Sequence, residues 1–327
     1  MTMLNAGIVG LGRWGRTLVR SVGRGASSER IVFQAGYTKT PARHAEFADE
    51  EGLQLFGDYE EMLASGQAGA VVIASPHSEH VEQIRAAAAA GLHVFVEKPM
   101  ALDVASALAA ITSTRAANVK LAVGFNRRFL PTYRRLHQIF REGRLGQLLH
   151  IEGNFSGPFG TQFSPDAWHA NQSETPAGGM TLMGIHVLDA MIGIAGPIAN
   201  VRARSKRQFL TIDIDDTTDT NLEFASGCTG YLSTMTATSR NWRLQLFGSK
   251  GWCEMRGYEQ LVLKIDEDVK VYDFEPVDIE RAELHAFADY VTADAEYPVP
   301  IEEVIAGIAA LEAINRSCRE NAEIDVE

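Results

Sequence analysis

Residues 7–15, GIVGLGRWG, decide how the N-terminal half of this chain folds. They space Gly10, Gly12 and Gly15 as G-x-G-x-x-G, behind the apolar run AGIVG and ahead of the helix-compatible RTLVRSV. In a strand–turn–helix each glycine has its own task. Gly10 makes a tight turn, Gly12 lets a pyrophosphate approach the backbone, Gly15 lets the helix pack closely, and the anion meets the helix N-terminus. The spacing is weak evidence alone, but in this context it points to dinucleotide binding, with Leu11, Arg13 and Trp14 completing the loop.

Outward from that turn, short apolar runs alternate with helical patterns as far as residue 125: IVFQAGY, GAVVIAS, LHVFVEK and KLAVGFN, separated by segments such as SEHVEQIRAAAAAG. The alternation predicts βαβ units and a doubly wound parallel sheet, and runs that are apolar throughout fit strands covered on both faces. The first domain is expected over 1–125. After GFNRRFLPTYRRLHQIFREGRLG, strand-like runs follow one another on short turns, which predicts a mostly antiparallel sheet in an α+β domain over 126–327. GGMTLMGIHVLDAM, residues 178–191, interrupts them as a buried helix, and two amphipathic helices within 280–321 close the chain and are expected to pack back toward the first domain.

A length of 327 residues fits two domains, and 46% hydrophobic with 22% charged residues is an ordinary globular composition. A net charge of −12 disfavours nucleic acid and anionic membranes as partners. Cys228, Cys253 and Cys318 match neither a disulfide framework nor a zinc ligand set, which points to a reducing compartment. With no basic leader and no long apolar run, the expectation is a cytoplasmic protein. Asp215 and Asp216 are paired carboxylates without companions at ligand spacing, so they read as a strand-entry turn and no metal is expected.

A carboxylate that would chelate the adenosine ribose is expected about 20 residues beyond the glycines. The sequence instead runs into Tyr37, Thr38, Lys39 and Thr40 with Arg43 nearby. Hydroxyls and cations suit a 2′-phosphate, so NADP(H) is favoured over NAD(H); the alternative is that Lys39 and Arg43 are solvated loop charges and either cofactor is taken. In HVFVEKPM, Glu97 and Lys98 end a buried strand on the edge where such sheets bind ligands. There Lys98 is either a structural cation or a hydrogen-bond donor to a reacting oxygen.

His186 and Asp189 lie among apolar neighbours. In an α-helix, Leu182, His186 and Asp189 share a face by i, i+4 and i, i+3 spacing, and Asp189 could orient His186. A lone histidine on an apolar helix is nevertheless more often a satisfied core residue. Trp168, followed by His169, could wall a sugar pocket or anchor a loop. Arg127 and Arg128 suit a substrate carboxylate or phosphate, although salt bridges are the commoner use of such a pair.

Taken together, GIVGLGRWG, AVVIASPHSEHVEQIRAAAAAGLHVFVEKPMAL, GFNRRFLP, GRLGQ, GGMTLMGIHVLDAM and FGSKGW resemble the Gfo/Idh/MocA-type oxidoreductases, in order along essentially the whole chain. The resemblance implies an N-terminal Rossmann domain and a C-terminal α+β domain whose open sheet forms a homodimer or homotetramer. It implies that Lys98 sits beside nicotinamide and substrate, that Ser75, Pro76, His77 and His80 border the cofactor, and that Asn126 and Arg127 lie near the site. His186 falls on the histidine of the family's D-x-x-x-H element, with Leu182 where the aspartate usually stands. Lys98 and His186 are thus the expected catalytic pair, with Arg127, Trp168, Thr181 and Asp189 toward the substrate. The implied activity is hydride transfer between nicotinamide and a carbinol or carbonyl carbon of a sugar, polyol or derivative. Rival readings are an NAD-dependent hydrolase or lyase that borrows and returns the hydride, and a non-catalytic dinucleotide- or ligand-binding protein, for which Leu182 is the best sequence support.

Overall fold

The computed structural model describes residues 2–23, 25 and 28–327. The chain divides into two compact units, Met1–Asn126 with Asp278–Ile301, and Arg127–Val277 with Glu302–Glu327.

The first unit alternates β1 (Leu4–Val9), α1 (Arg13–Val22), β2 (Ile31–Tyr37), α2 (Ala45–Glu51), β3 (Gln54–Phe56), α3 (Tyr59–Ala64), β4 (Ala70–Ile73), α4 (His80–Ala89), β5 (His93–Glu97), α5 (Val104–Ala116) and β6 (Leu121–Gly124). The six strands are parallel in the order β3-β2-β1-β4-β5-β6, the doubly wound arrangement that the alternation predicts. Every residue of β4 is buried, as helices on both faces require. Asp58 and Asp103 start α3 and α5 by accepting the backbone N–H of Glu61 and Ser106. After the second unit's strands the chain returns here as α8 (Ile279–Thr292), which contacts α1, β1 and β2. Its Phe287 ring lies 5.6 Å from that of Phe95.

The second unit contains α6 (Pro131–Arg141), β7 (Leu148–Ser156), α7 (Ile185–Ala195), β8 (Ile198–Lys206), β9 (Thr217–Phe224), β10 (Thr229–Met235), β11 (Asn241–Gly248), β12 (Gly251–Arg256), β13 (Gln260–Ile265), β14 (Asp268–Asp273), α9 (Ile301–Glu320) and β15 (Glu323–Asp325). Its nine strands run β14-β13-β12-β11-β7-β10-β9-β8-β15, antiparallel except for the β7–β10 pair. Of the two terminal helices, α8 thus clusters with the first unit and α9, beyond Ile301, with the second.

Nearly all of α7 is buried, and the sheet makes room for it at Gly153 of β7, where an added Cβ would lie 2.4 Å from Val187 Cγ1 and 2.6 Å from Met191 Cε. The helix expected within 178–191 begins differently: Met180–Gly184 form a π-helical turn that leads into α7. The wider turn packs against the sheet through glycine, for a Cβ on Gly179 would come 2.8 Å from Thr236 Cγ2 and one on Gly184 2.7 Å from Thr234 Cγ2. π-turns of this kind recur at functional sites.

Gly153→Val, which forces a branched side chain into the α7 contact, is expected to cost about 1–3 kcal/mol by overpacking. Urea denaturation followed by circular dichroism measures it as a lowered midpoint at unchanged slope.

Candidate functional site

The glycine turn joins β1 to α1 through a closure that leaves no room for side chains. Gly10 has φ +91, and an added Cβ there would sit 2.8 Å from Ala74 O; one on Gly15 would sit 1.9 Å from Gly10 O. Gly12 differs: nothing lies within 4 Å of its would-be Cβ, so the backbone faces open space. Gly12 is also the N-cap of α1, with no side chain capping the helix and no acidic residue in its first turn. The buried Trp14 Nε1 has no hydrogen-bond partner among the described residues. Open space, uncapped amides and an unmatched indole N–H fit a phosphate-bearing dinucleotide. Leu11 is buried and Arg13 exposed at the start of α1.

At the end of β2, Thr38 is buried and its Oγ1 accepts the backbone N–H of Thr40 at 3.3 Å. Lys39 is engaged: its Nζ lies 2.6 Å from Glu79 Oε1, and the hydrogen bond and charge of Glu79 hold its pKa above the ordinary lysine value. Arg43 is exposed, in the one-turn helix Pro41–Arg43 that follows β2.

The carboxyl ends of β4 and β5 carry the next group. Ser75 Oγ donates to Gln83 Oε1 at 2.5 Å. Pro76 precedes the short helical turn His77–Glu79, whose His77 is buried with its ring 5.8 Å from that of His80. His80 is fully buried, with Nδ1 2.9 Å from Pro99 O and Nε2 3.0 Å from Ser75 O. It therefore ties the loop after β4 to the turn after β5. Glu97 is buried at the end of β5, and Lys98 follows it half-buried, joined to Pro99 by a cis peptide. Asn126, nearly fully buried, donates from Nδ2 to Glu280 Oε1 at 3.0 Å.

The second unit holds His186, 5% exposed, with its ring 6.1 Å from that of Phe155. The guanidinium of Arg127 lies 5.6 Å from the Phe155 ring and 5.3 Å from that of Tyr258, to whose hydroxyl it donates at 2.9 Å. Two polar groups on the same segment, Thr181 and Asp189, take other partners. Thr181 Oγ1 donates to Pro176 O, and Asp189 is bound by Arg128, whose Nε donates to Oδ2 at 2.6 Å and Nη2 to Oδ1 at 2.9 Å. Arg128 also donates to Glu303 Oε2 at 2.6 Å. Burial opposes the Arg128 charge, but Asp189 foremost, then Tyr133 and Glu303, hold its pKa above the ordinary value. Gly193 makes the room, since a Cβ there would lie 2.1 Å from Arg128 Nη1. Asp189 is accordingly the buried counterion of Arg128. Leu182 is the one half-buried member of the otherwise buried π-turn.

Two loops of the same unit form a small core of their own: Ala170, Ile212 and Ile214, joined by Phe163 and Leu210. The His169 ring stacks on Phe163 (4.2 Å) and on Trp168 (4.7 Å), so Trp168 belongs to a stack of three rings. Asp216 fastens the second loop by accepting the backbone N–H groups of Gln208, Phe209 and Leu210 on one oxygen. Burial alone would raise its pKa; those three amides and the Thr217 hydroxyl outweigh burial and hold it below the ordinary aspartate value. Sequence reasoning did not single out Arg16, His44, Glu79 or Glu303, because each acquires its partner through folding and stands at no motif position. Among the described residues no group of three or more His, Cys, Asp or Glu could hold a metal ion, and no helix is long and apolar enough to cross a membrane.

Residues 4–125 match a family model described as "Oxidoreductase family, NAD-binding Rossmann fold", and residues 133–254 one described as "GFO/IDH/MocA C-terminal domain". The chain is 29% identical to the rhizopine catabolism protein MocA of Rhizobium meliloti over 78% of its length and 79% of that protein's. It is 26% identical to D-xylose 1-dehydrogenase (NADP(+)) 2 of Haloferax volcanii, over 89% of its length and 90% of that protein's. The crystal structure of aldose-aldose oxidoreductase from Caulobacter crescentus complexed with glycerol superposes with a TM-score of 0.88 over 99% of this chain and 100% of that one, at 22% identity, a likeness of fold.

Two outcomes check this geometry. Arg128→Ala leaves Asp189 buried without its counterion and is expected to cost about 3–5 kcal/mol in chemical denaturation, whereas exchanging Arg128 and Asp189 together for Met and Leu costs much less. Asp216→Ala is expected to cost about 2 kcal/mol through three orphaned amides. Because folding lowers the Asp216 pKa, its contribution is complete above about pH 4, the ordinary aspartate range, and is lost as pH falls through the lowered value. Protection of the 208–210 amides against hydrogen exchange, relative to their intrinsic rates, should therefore fall in the variant at neutral pH and in the wild type as pH drops through the lowered Asp216 pKa.

Proposed function

Because the chain belongs to the GFO/IDH/MocA oxidoreductase family, we propose that it is an NAD(P)-dependent dehydrogenase or reductase acting on a carbinol or carbonyl carbon of a sugar, polyol or related small polar molecule. The observation that carries this reading is the glycine turn, open at Gly12, on the same carboxyl edge of a parallel sheet that ends in Lys98. That edge is where doubly wound sheets bind dinucleotides. D-xylose 1-dehydrogenase among the relatives supports the substrate class.

The uncapped amides at Gly12 and the start of α1 hold the pyrophosphate, and the residues after β2 face the adenosine ribose. The loop after β4, with Ser75, Pro76 and His77, lines the path toward the nicotinamide. When bound, the nicotinamide ring gives or takes the hydride at C4. Lys98 donates a hydrogen bond to the reacting oxygen and steadies the charge that gathers on it. His186 takes that oxygen's proton on oxidation and returns it on reduction, acting as general base and then as general acid. With hydroxyls and cations in place of a carboxylate after β2, NADP(H) is preferred to NAD(H). Self-association uses the outer face of the nine-stranded sheet, where Tyr231, Val269 and Val271 stand exposed.

Assay of an aldose and polyol panel with NADP or NAD, read at 340 nm, should reveal net cofactor reduction; transient hydride transfer with no net change would instead mark a hydrolase or lyase. On the responding substrate, Lys98→Ala should lower kcat by about 10²–10⁴-fold, and full turnover by this variant would remove Lys98 from the mechanism. Sedimentation velocity should give a dimer or tetramer that Val271→Lys weakens.

A further inference from the structure

Lys39 looks from sequence like the cation that would meet a 2′-phosphate, yet the fold gives it to Glu79. Glu79 is itself held, its Oε2 accepting from Gln83 Nε2 at 3.1 Å while Gln83 Oε1 accepts from Ser75 Oγ at 2.5 Å. An exposed ion pair of this kind breaks at little cost. Swinging Lys39 toward a phosphate would nevertheless leave the tethered Glu79 carboxylate close by, so the pair adds almost no net attraction for a dianion.

A second set of cations lies around the same strand end with no such cancellation. Arg16, on α1, donates from Nε to Leu11 O at 3.3 Å, and its guanidinium lies 5.0 Å from the Phe47 ring of α2. Its Nη2 lies 2.8 Å from His44 Nδ1. Arginine can only donate, so His44 accepts at Nδ1, which leaves Nε2–H as a donor. Burial, then the charges of Arg16 and Arg43, lower the His44 pKa and favour this neutral ring. Arg43 stands one residue before His44, and no carboxylate lies within 4 Å of either arginine among the described residues. Arg16 thus spans from a carbonyl of the glycine turn to the connection after β2, the interval in which the adenosine ribose of a dinucleotide sits in this fold. Two unneutralised guanidinium groups and an imidazole N–H are the donor set that suits phosphate oxygens.

We propose that Arg16, Arg43 and His44, and not Lys39, recognise the 2′-phosphate of NADP(H); this rests on the NADP(H) preference proposed above. Phe47 and Leu11 hold the Arg16 fork in place before the coenzyme arrives, so little side-chain freedom is lost on binding.

Titration calorimetry with NADPH, NADH, adenosine 2′,5′-bisphosphate and adenosine 5′-monophosphate tests this on the wild type, Arg16→Gln, Arg43→Gln, His44→Ala and Lys39→Ala. Each arginine variant should bind NADPH and the bisphosphate about tenfold more weakly while NADH changes less than about twofold, and Lys39→Ala should shift NADPH by less than about threefold. If the arginine variants keep wild-type NADPH affinity and Lys39→Ala loses it, the assignment to Arg16 and Arg43 is overturned and the NADP(H) preference stands. If wild type binds NADH as tightly as NADPH and the bisphosphate no more tightly than the monophosphate, the preference falls and this proposal with it. Equal weakening of NADPH and NADH by Arg16→Gln would also overturn it, since Arg16 would then be holding the glycine turn and not the phosphate.

Discussion

The closure of Gly15 on Gly10 is the contact on which the cofactor half of the molecule depends. With a would-be Cβ only 1.9 Å from a backbone oxygen, no side chain at residue 15 is compatible with α1 starting where it does. The start of α1 in turn sets where its uncapped amides point, and those amides favour a negative partner. The neighbouring features follow from this geometry. Leu11 is buried beneath the turn, Gly12 opens outward, and Arg16 comes within reach of Leu11 O because the helix begins three residues before it.

The second unit relies on close approach of another kind. Gly153, Gly179 and Gly184 let a buried helix and its π-turn lie against the sheet, and Gly193 admits an arginine where a methyl group would not fit. Arg128 then carries a charge that burial penalises and that the two acceptors Asp189 and Glu303 compensate. The pair fixes Arg128 against the middle of α7, while Phe155 of β7 packs near His186. His186 is thereby buried among packed neighbours, the setting that the proton-transfer role proposed for it calls for.

Charge pairing divides residues that look alike in sequence. Lys39 and Arg43 are both cations after the second strand, yet the first is neutralised by Glu79 and the second is not. Arg127 and Arg128 are adjacent, yet one lies between aromatic rings with its hydrogen bond to Tyr258, and the other sits in a buried ion pair. Asp215 and Asp216 form a similar pair: Asp216 gathers three amides and organises a loop.

Local pattern by itself determined the parallel sheet, the glycine turn, the following antiparallel strands and the strand-edge position of Lys98, because side-chain periodicity and glycine sterics are properties of a few neighbouring residues. Pattern could also place His186 on a buried helix. It could not show the π-turn, since an α-helix and a π-turn bury nearly the same run of apolar residues and differ in how glycines meet Thr234 and Thr236 across the sheet. Nor could it assign partners: Thr181 to Pro176, Asp189 to Arg128, Lys39 to Glu79 forty residues away and Arg16 to His44 twenty-eight residues away. Those choices belong to tertiary structure, because a charge or hydroxyl takes the complementary group that folding brings within about 3 Å, and chain order does not record that distance.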